Sequence, residues 1–211
     1  MQWLEKMKVS TRLVVGFSVV LALTVFIGVF SIVQMATVHQ TAIDLEERWM
    51  PSVAYAAHMG KDVSHFRIAE FQHINALTPE EMVQHEKAQG DLLKDLAKNQ
   101  ASYEKLISSP EERALYEEFS KTWSAYLAEH EQIRTLSRQH NRDAALSLMH
   151  EDSEKYFHAA DESLLKLAAM NIEGGEEAGH VGETVYVSSR FWIIGLLAVC
   201  IVFAVLIMLF I

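Results

Sequence analysis

The sequence predicts an all-α protein, an up-down-up-down antiparallel four-helix bundle whose first and last helices continue into two transmembrane helices. Two uncharged apolar runs of 21 residues, Leu13 to Val33 and Phe191 to Ile211, bracket a hydrophilic stretch of 157 residues. Each run is long enough, as a helix, to cross the ~30 Å of bilayer hydrocarbon. Inside the bracket glycine and proline are sparse, and no Val/Ile/Thr alternation reaches strand length. Apolar residues recur there at alternating intervals of three and four, the spacing of a bundle seam.

Residues 1–12 form a short basic tail with Lys6, Lys8 and Arg12, which the positive-inside tendency places in the cytoplasm. The span 13–33 follows. A cleaved signal peptide would have a shorter apolar core ending in small residues, whereas Gln34 and Met35 follow here, so the run is expected to stay as an anchor. Residues 34–190 then lie outside as the sensor-sized domain, and 191–211 return through the membrane. A cytoplasmic output module is expected on a longer chain or on a partner.

Helix starts inside the domain are marked by chemistry. Thr78-Pro79-Glu80-Glu81 and Ser109-Pro110-Glu111-Glu112 each join a cap residue, proline at the first helical position and glutamate three residues on. A third boundary falls near His140-Asn141. The seams then read Val53, Ala56, Gly60, Val63, Arg67, Glu70, Ile74 and Leu77 in the first bundle helix, and Met82, His85, Gln89, Leu92, Leu96, Asn99, Tyr103 and Leu106 in the second. In the third they are Tyr116, Phe119, Trp123, Tyr126, His130, Ile133 and Ser137, and in the fourth His150, Ser153, Phe157, Ala160, Leu164, Leu167 and Asn171. Arg67, Gln89, His130 and Ser153 each fall roughly 15 to 18 Å below the turns near residues 77 and 141, taking 1.5 Å of rise per residue. Burying such groups is costly unless they are paired, so a polar cavity is expected at that level.

Composition excludes several classes. Residues 34–190 carry 15 basic against 27 acidic residues, a balance of −12, which disfavours nucleic acid and anionic lipid as partners. The sole cysteine, Cys200, lies in the second span and can form no intrachain disulfide. No nucleophile elbow, phosphate loop or outer thiol occurs, so no enzyme activity and no cofactor are expected. His58, Asp62 and His65 share a helical face, and Glu70 with His73 and Glu177 with His180 match half of a di-iron motif. The two halves fall roughly 45 Å apart in height, so no metal site is assigned.

Against this acidic background Arg134, Arg138 and Arg142 follow His130 at intervals of four, near the same end of the bundle. The planar guanidinium holds a carboxylate by two parallel hydrogen bonds. A small organic acid is therefore the expected ligand, held by Arg67, Arg134 and Arg138, with Arg142, His130, Gln89, Tyr126 and Tyr156 in support. The competing structural reading pairs Arg67 with Glu70 and leaves the other arginines as a solvated stripe. Tyr116, Phe119 and Trp123 are expected in the core. Gly174, Gly175, Gly179 and Gly182 either admit close packing against the first helix or soften the link to the second span.

The leader "MKVSTRLVVGFSVVLALTVFIGVFSI", the segments "RWMPSV" and "FRIAEFQH", the third-helix stretch "SPEERALYEEFSKTWSAYL" and "LLKLAAMNIEGG" before the second span resemble, in order and spacing, a bacterial methyl-accepting chemotaxis receptor. The resemblance covers essentially the whole chain. It implies a periplasmic four-helix sensor on the inner membrane, a homodimer or higher oligomer built through the first helix, and ligand binding near the membrane-distal end. It further implies motion of the second span that controls a cytoplasmic kinase and its adaptor. Histidine kinases and diguanylate cyclases share such sensors. The aspartate-sensing branch crowds arginines on the first helix, where this chain has only Arg67, so a di- or tricarboxylate or an aromatic acid is at least as well suited. Rival readings are recognition of a periplasmic binding protein, a metal or pH sensor, and a purely structural two-span protein.

Overall fold

A computed structural model describes residues 9–210; Lys6 and Lys8 of the basic tail lie outside the described residues. Helix α1 spans Val9–Asp44 and passes through one π-helical turn, Leu45–Trp49, into α2, Met50–Ile74. Helices α3 (Pro79–Tyr103) and α4 (Pro110–Arg138) follow, then a short α5 (Arg142–Met149) and the long α6 (Asp152–Phe210). The chain divides into two compact units, one of residues 46–176 and one of the segments up to 45 and from 177 onward. The bundle unit lies within the stretch 34–190.

Within the bundle unit both capping signatures form. Thr78 Oγ1 accepts from the Glu81 amide at 3.2 Å and Ser109 Oγ from the Glu112 amide at 3.1 Å. Each glutamate reaches back one residue beyond the cap, Glu81 to the Leu77 amide and Glu112 to the Ser108 amide. Two orphan donors are thereby satisfied at each helix start. Helix α4 ends in a Schellman arrangement: His140 takes the left-handed conformation with φ 56°, its amide donates to Ser137 O, and the Asn141 amide donates to Leu136 O.

The expected fourth helix is interrupted. Residues from 142 form only two turns of α5, the chain bends at His150 and Glu151, and α6 starts afresh at Asp152. His150, assigned to the seam, is exposed as a result. In α2 the expected Ala56, Val63, Glu70 and Ile74 are buried, while Ser52, Met59 and Phe66 are buried in place of Val53, Gly60 and Arg67, so the seam lies partly one residue before the expected one. Leu77, placed at its end, is 88% exposed because the helix has already stopped at Ile74. All seven expected α4 seam residues are buried, whereas in α3 Met82, Gln89, Leu96 and Tyr103 are buried, His85, Leu92 and Asn99 only half so, and Leu106 falls beyond the helix end.

The core comes in two pieces. The larger contains Met59, Val63, Phe66, Tyr103, Phe119, Trp123, Tyr126, Leu164 and Leu167 among others; the smaller, near the turns at 75–78 and 139–141, holds Ile74, Ile133, Ala145 and Met149. Between the two pieces four of the helices each bring in polar side chains. Arg67 and Glu70 lie there on α2, Gln89 on α3, His130 on α4 and Ser153 on α6.

In the other unit, the large side chains Phe17, Leu21, Ile32, Phe191 and Ile194 face outward, all more than half exposed. Both of its helices are long and apolar enough to cross a membrane. A side chain at Gly16 would come within 3.0 Å of Ile207, and one at Gly182 within 3.1 Å of Thr41, so these two glycines sit where the helices approach closely.

Candidate functional site

The polar layer is organised around one carboxylate. Glu70 is 1% exposed, and a buried charge of this kind persists only when paired and hydrogen-bonded. Tyr126 Oη donates to its Oε2 at 2.6 Å, His130 Nδ1 lies 2.7 Å from Oε1, and Arg67 Nη1 stands 3.6 Å from Oε2. Burial, reinforced by the negative charge of Glu70, raises the Tyr126 pKa, so the phenol keeps its proton and acts as a donor. Arg67 spends its remaining donors on Ser153 Oγ at 3.1 Å and the Met149 carbonyl at 2.9 Å, with its guanidinium 4.9 Å from the Phe157 ring centroid. That carbonyl is one of those left unpaired where α5 ends, so Arg67 caps α5 from across the bundle.

Toward the turns lies a second set. His73 Nε2 is 3.1 Å from Glu86 Oε1, and Arg138 grips Glu86 with both arms, Nε to Oε1 at 2.7 Å and Nη2 to Oε2 at 2.8 Å. The Arg138 hydrogen bonds hold the Glu86 carboxyl down to about 2. Burial lowers the pKa of His73 and outweighs the opposing pull of Glu86.

Between α3 and α4 the layer opens into a cavity of about 400 Å³. Phe66 of α2 contributes to its lining together with Gln89 and Leu93 of α3 and Leu127, His130 and Arg134 of α4. The Gln89 amide nitrogen is buried and has no hydrogen-bond partner. Arg134 pairs with Glu131, which also lines the cavity.

The predicted site residues therefore separate. Arg67, Tyr126 and His130 meet at Glu70, while Gln89, His130 and Arg134 meet at the cavity. Arg138 stands apart on Glu86, Arg142 bonds Asn75 Oδ1 at 2.5 Å, and Tyr156 packs against the larger core. The three α4 and α5 arginines do not form one cationic surface, because each has a different partner. Glu86 and Gly90 were missed by sequence reasoning, and His73 was considered there only as half of a metal motif. Glu86 reads as an ordinary solvated residue in an amphipathic helix, and only the fold brings Arg138 to it from 52 positions away.

A second buried polar cluster ties the opposite end of the bundle unit. Glu112, 3% exposed, accepts from Tyr103 Oη at 2.8 Å and from Asn171 Nδ2 at 3.1 Å, and Asn171 also donates to Tyr103 Oη at 2.9 Å. Arg48 of the π-helical turn bonds Ser108 and lies over the Trp49 ring at 3.9 Å. Trp49 in turn occupies the space beside Gly174 of α6 where a Cβ would stand.

Residues 6–186 match the family model described as a four helix bundle sensory module for signal transduction. The chain is also 20% identical over 206 residues to a Bacillus subtilis (strain 168) protein named "Putative sensory transducer protein YvaQ". That alignment takes in 98% of this chain and 36% of the relative, so the chain spans about a third of the relative's length.

Proposed function

The chain belongs to the family of four-helix-bundle sensory modules for signal transduction, and from that premise we propose that it is the sensor region of a two-span chemoreceptor that binds a small organic acid. The supporting observation is the polar layer between two apolar core pieces, hollow on its α3–α4 side and furnished there with an unbonded Gln89 amide and the Arg134 guanidinium. A core that could have been filled with apolar side chains instead keeps a cavity and donors suited to a carboxylate.

Arg134, Gln89 and His130 bind the acid in this reading. Arg67 and Tyr126 act behind them by fixing Glu70 and, through it, His130. Arg138 orders Glu86 at the edge of the cavity, with Arg142 and Tyr156 holding neighbouring helix ends and core. Residues 1–12 lie in the cytoplasm, 13–33 and 191–211 cross the inner membrane, and 34–190 face the periplasm, in a homodimer that signals to a cytoplasmic kinase and adaptor. The signal is a shift of α6, which runs without a break from Asp152 to Phe210. A coupling of about 1 to 3 kcal/mol between occupancy and helix position suffices.

The experiment is a thermal-shift screen of the full chain in lipid nanodiscs against mono-, di- and tricarboxylates. An acid at 100 times its Kd should stabilise the protein by about 2.7 kcal/mol, and Arg134→Ala should remove the shift. No shift with any acid, or a shift that Arg134→Ala leaves intact, would reject the reading.

A further inference from the structure

On the organic-acid reading above, the cavity between α3 and α4 restricts which acid can enter. Its polar groups gather at the end nearer the turns, where Glu86, Gln89, Glu131 and Arg134 stand, each pair about a helical turn apart on its own helix. Its other end, a turn further along each helix, is mainly apolar, with Leu93 on α3, Leu127 on α4 and Phe66 behind them, and the Ser124 hydroxyl there donates to the Ser120 carbonyl. A ligand that fills it has a polar head and an apolar tail.

The head is constrained by charge. Arg134 is the one arginine in the lining, paired there with the exposed Glu131, between which a ligand bearing both a carboxylate and a donor can insert, and no lysine joins it. Arg138 is committed to Glu86 by both arms and lies outside the lining. Two carboxylates, Glu86 on Arg138 and Glu131 on Arg134, share the head region, so a second ligand carboxylate would meet like charge there. One ligand carboxylate finds Arg134 and the Gln89 amide nitrogen. A second finds Glu86 or Glu131, which favour a donor in its place.

Two features mark the space as kept open. Gln89 is 4% exposed, yet its amide nitrogen has no partner, an arrangement that costs stability until something accepts from it. Gly90 lies in mid-helix, where alanine is the stronger helix former, and a Cβ built there meets no atom within 4 Å. Close packing does not require that glycine; the room it leaves belongs to the cavity.

We propose that this cavity is the binding site for a monocarboxylate that carries a hydrogen-bond donor beside its carboxylate and a compact apolar tail. The carboxylate accepts from Gln89 Nε2 and Arg134, the donor reaches Glu86 or Glu131, and the tail lies against Phe66, Leu93 and Leu127.

Calorimetric titration of the full chain in lipid nanodiscs with phenylacetate, mandelate and phenylmalonate tests this, because the three differ only in bearing hydrogen, hydroxyl or a second carboxylate on one carbon. Mandelate should bind at least tenfold more tightly than either of the others, and Gln89→Leu should weaken it at least tenfold. Gly90→Leu, which fills the cavity from an unobstructed position, should abolish binding without lowering the melting temperature of the unliganded protein. Equal or tighter binding of phenylmalonate, or mandelate binding that survives Gly90→Leu, overturns the proposal. If none of the three binds while citrate or succinate binds in an Arg134-dependent manner, the monocarboxylate site is wrong and the organic-acid reading stands. If no acid binds at all, both fall.

Discussion

Arg67 Nη2 donates to the backbone carbonyl of Met149 at 2.9 Å, joining a side chain in the middle of α2 to the last turn of α5. The same guanidinium stands beside Glu70 and bonds Ser153, the second residue of α6. One cation thus neutralises a buried carboxylate and holds together the break between α5 and α6. The break it spans is the place where the sequence pattern would have continued a single helix.

Arg67→Ala should therefore destabilise the protein by about 3 to 5 kcal/mol, the range for removing one partner of a buried ion pair, since Glu70 loses its nearest cation and the Met149 carbonyl its donor. Thermal or chemical unfolding followed by circular dichroism reads the loss. A change below about 0.5 kcal/mol would show that Arg67 is an ordinary surface cation.

Acidification should weaken the fold in two stages. His73 has a lowered pKa in the folded state, so the unfolded chain takes up the proton first and stability falls as pH drops below the ordinary 6.5. Glu86, held at about 2 against an ordinary 4.5, contributes stability that is full above 4.5 and lost as pH falls toward 2. Melting temperatures measured from pH 7.5 to 3 should show both declines. His73→Gln should flatten the first alone, and an unchanged slope in that variant would refute the assignment.

Gly174→Ala should cost about 1 to 3 kcal/mol despite the better helix propensity of alanine, because the added methyl enters space filled by the Trp49 ring. Trp49→Ala in the same background should recover part of that loss. A neutral or stabilising Gly174→Ala would mean the ring moves aside freely.

Glu112→Ala should be more damaging than Thr78→Ala, although both remove part of a helix start. Thr78 loses a cap worth about 1 kcal/mol. Glu112 in addition leaves the buried Tyr103 hydroxyl without its acceptor and removes one of the acceptors of Asn171 Nδ2, for a total of about 2 to 4 kcal/mol. Equal losses in denaturant titrations would place Glu112 in a capping role only.

Much of this architecture was legible from local chemistry. The starts of α3 and α4 at Pro79 and Pro110 follow from a cap oxygen, a proline and a glutamate at fixed offsets, which act over four residues and need no tertiary partner. The α4 seam was equally readable, because aromatic residues at three- and four-residue intervals define its buried face alone. In α2 the pattern was ambiguous: Ile68 and Phe71 are apolar yet exposed, while Asp62 and Glu70 are buried. The expected seam nonetheless placed Glu70 inside and Ile68 and Phe71 outside; what it missed was the local register, with Met59 and Phe66 buried beside the expected Gly60 and Arg67.

The sequence by itself determined two apolar spans, four bundle helices and a polar level within them, since hydropathy, capping and helical periodicity are properties of neighbouring residues. Only the tertiary structure decided how that level is used. It gave Arg67 to Met149 and Ser153, Arg138 to Glu86 and His130 to Glu70, and it left the Gln89 amide and the space beside Gly90 unfilled. The reason is physical: charges and hydrogen bonds buried away from water must find partners wherever packing brings them, across 52 to 86 residues of chain, and no local pattern carries that information.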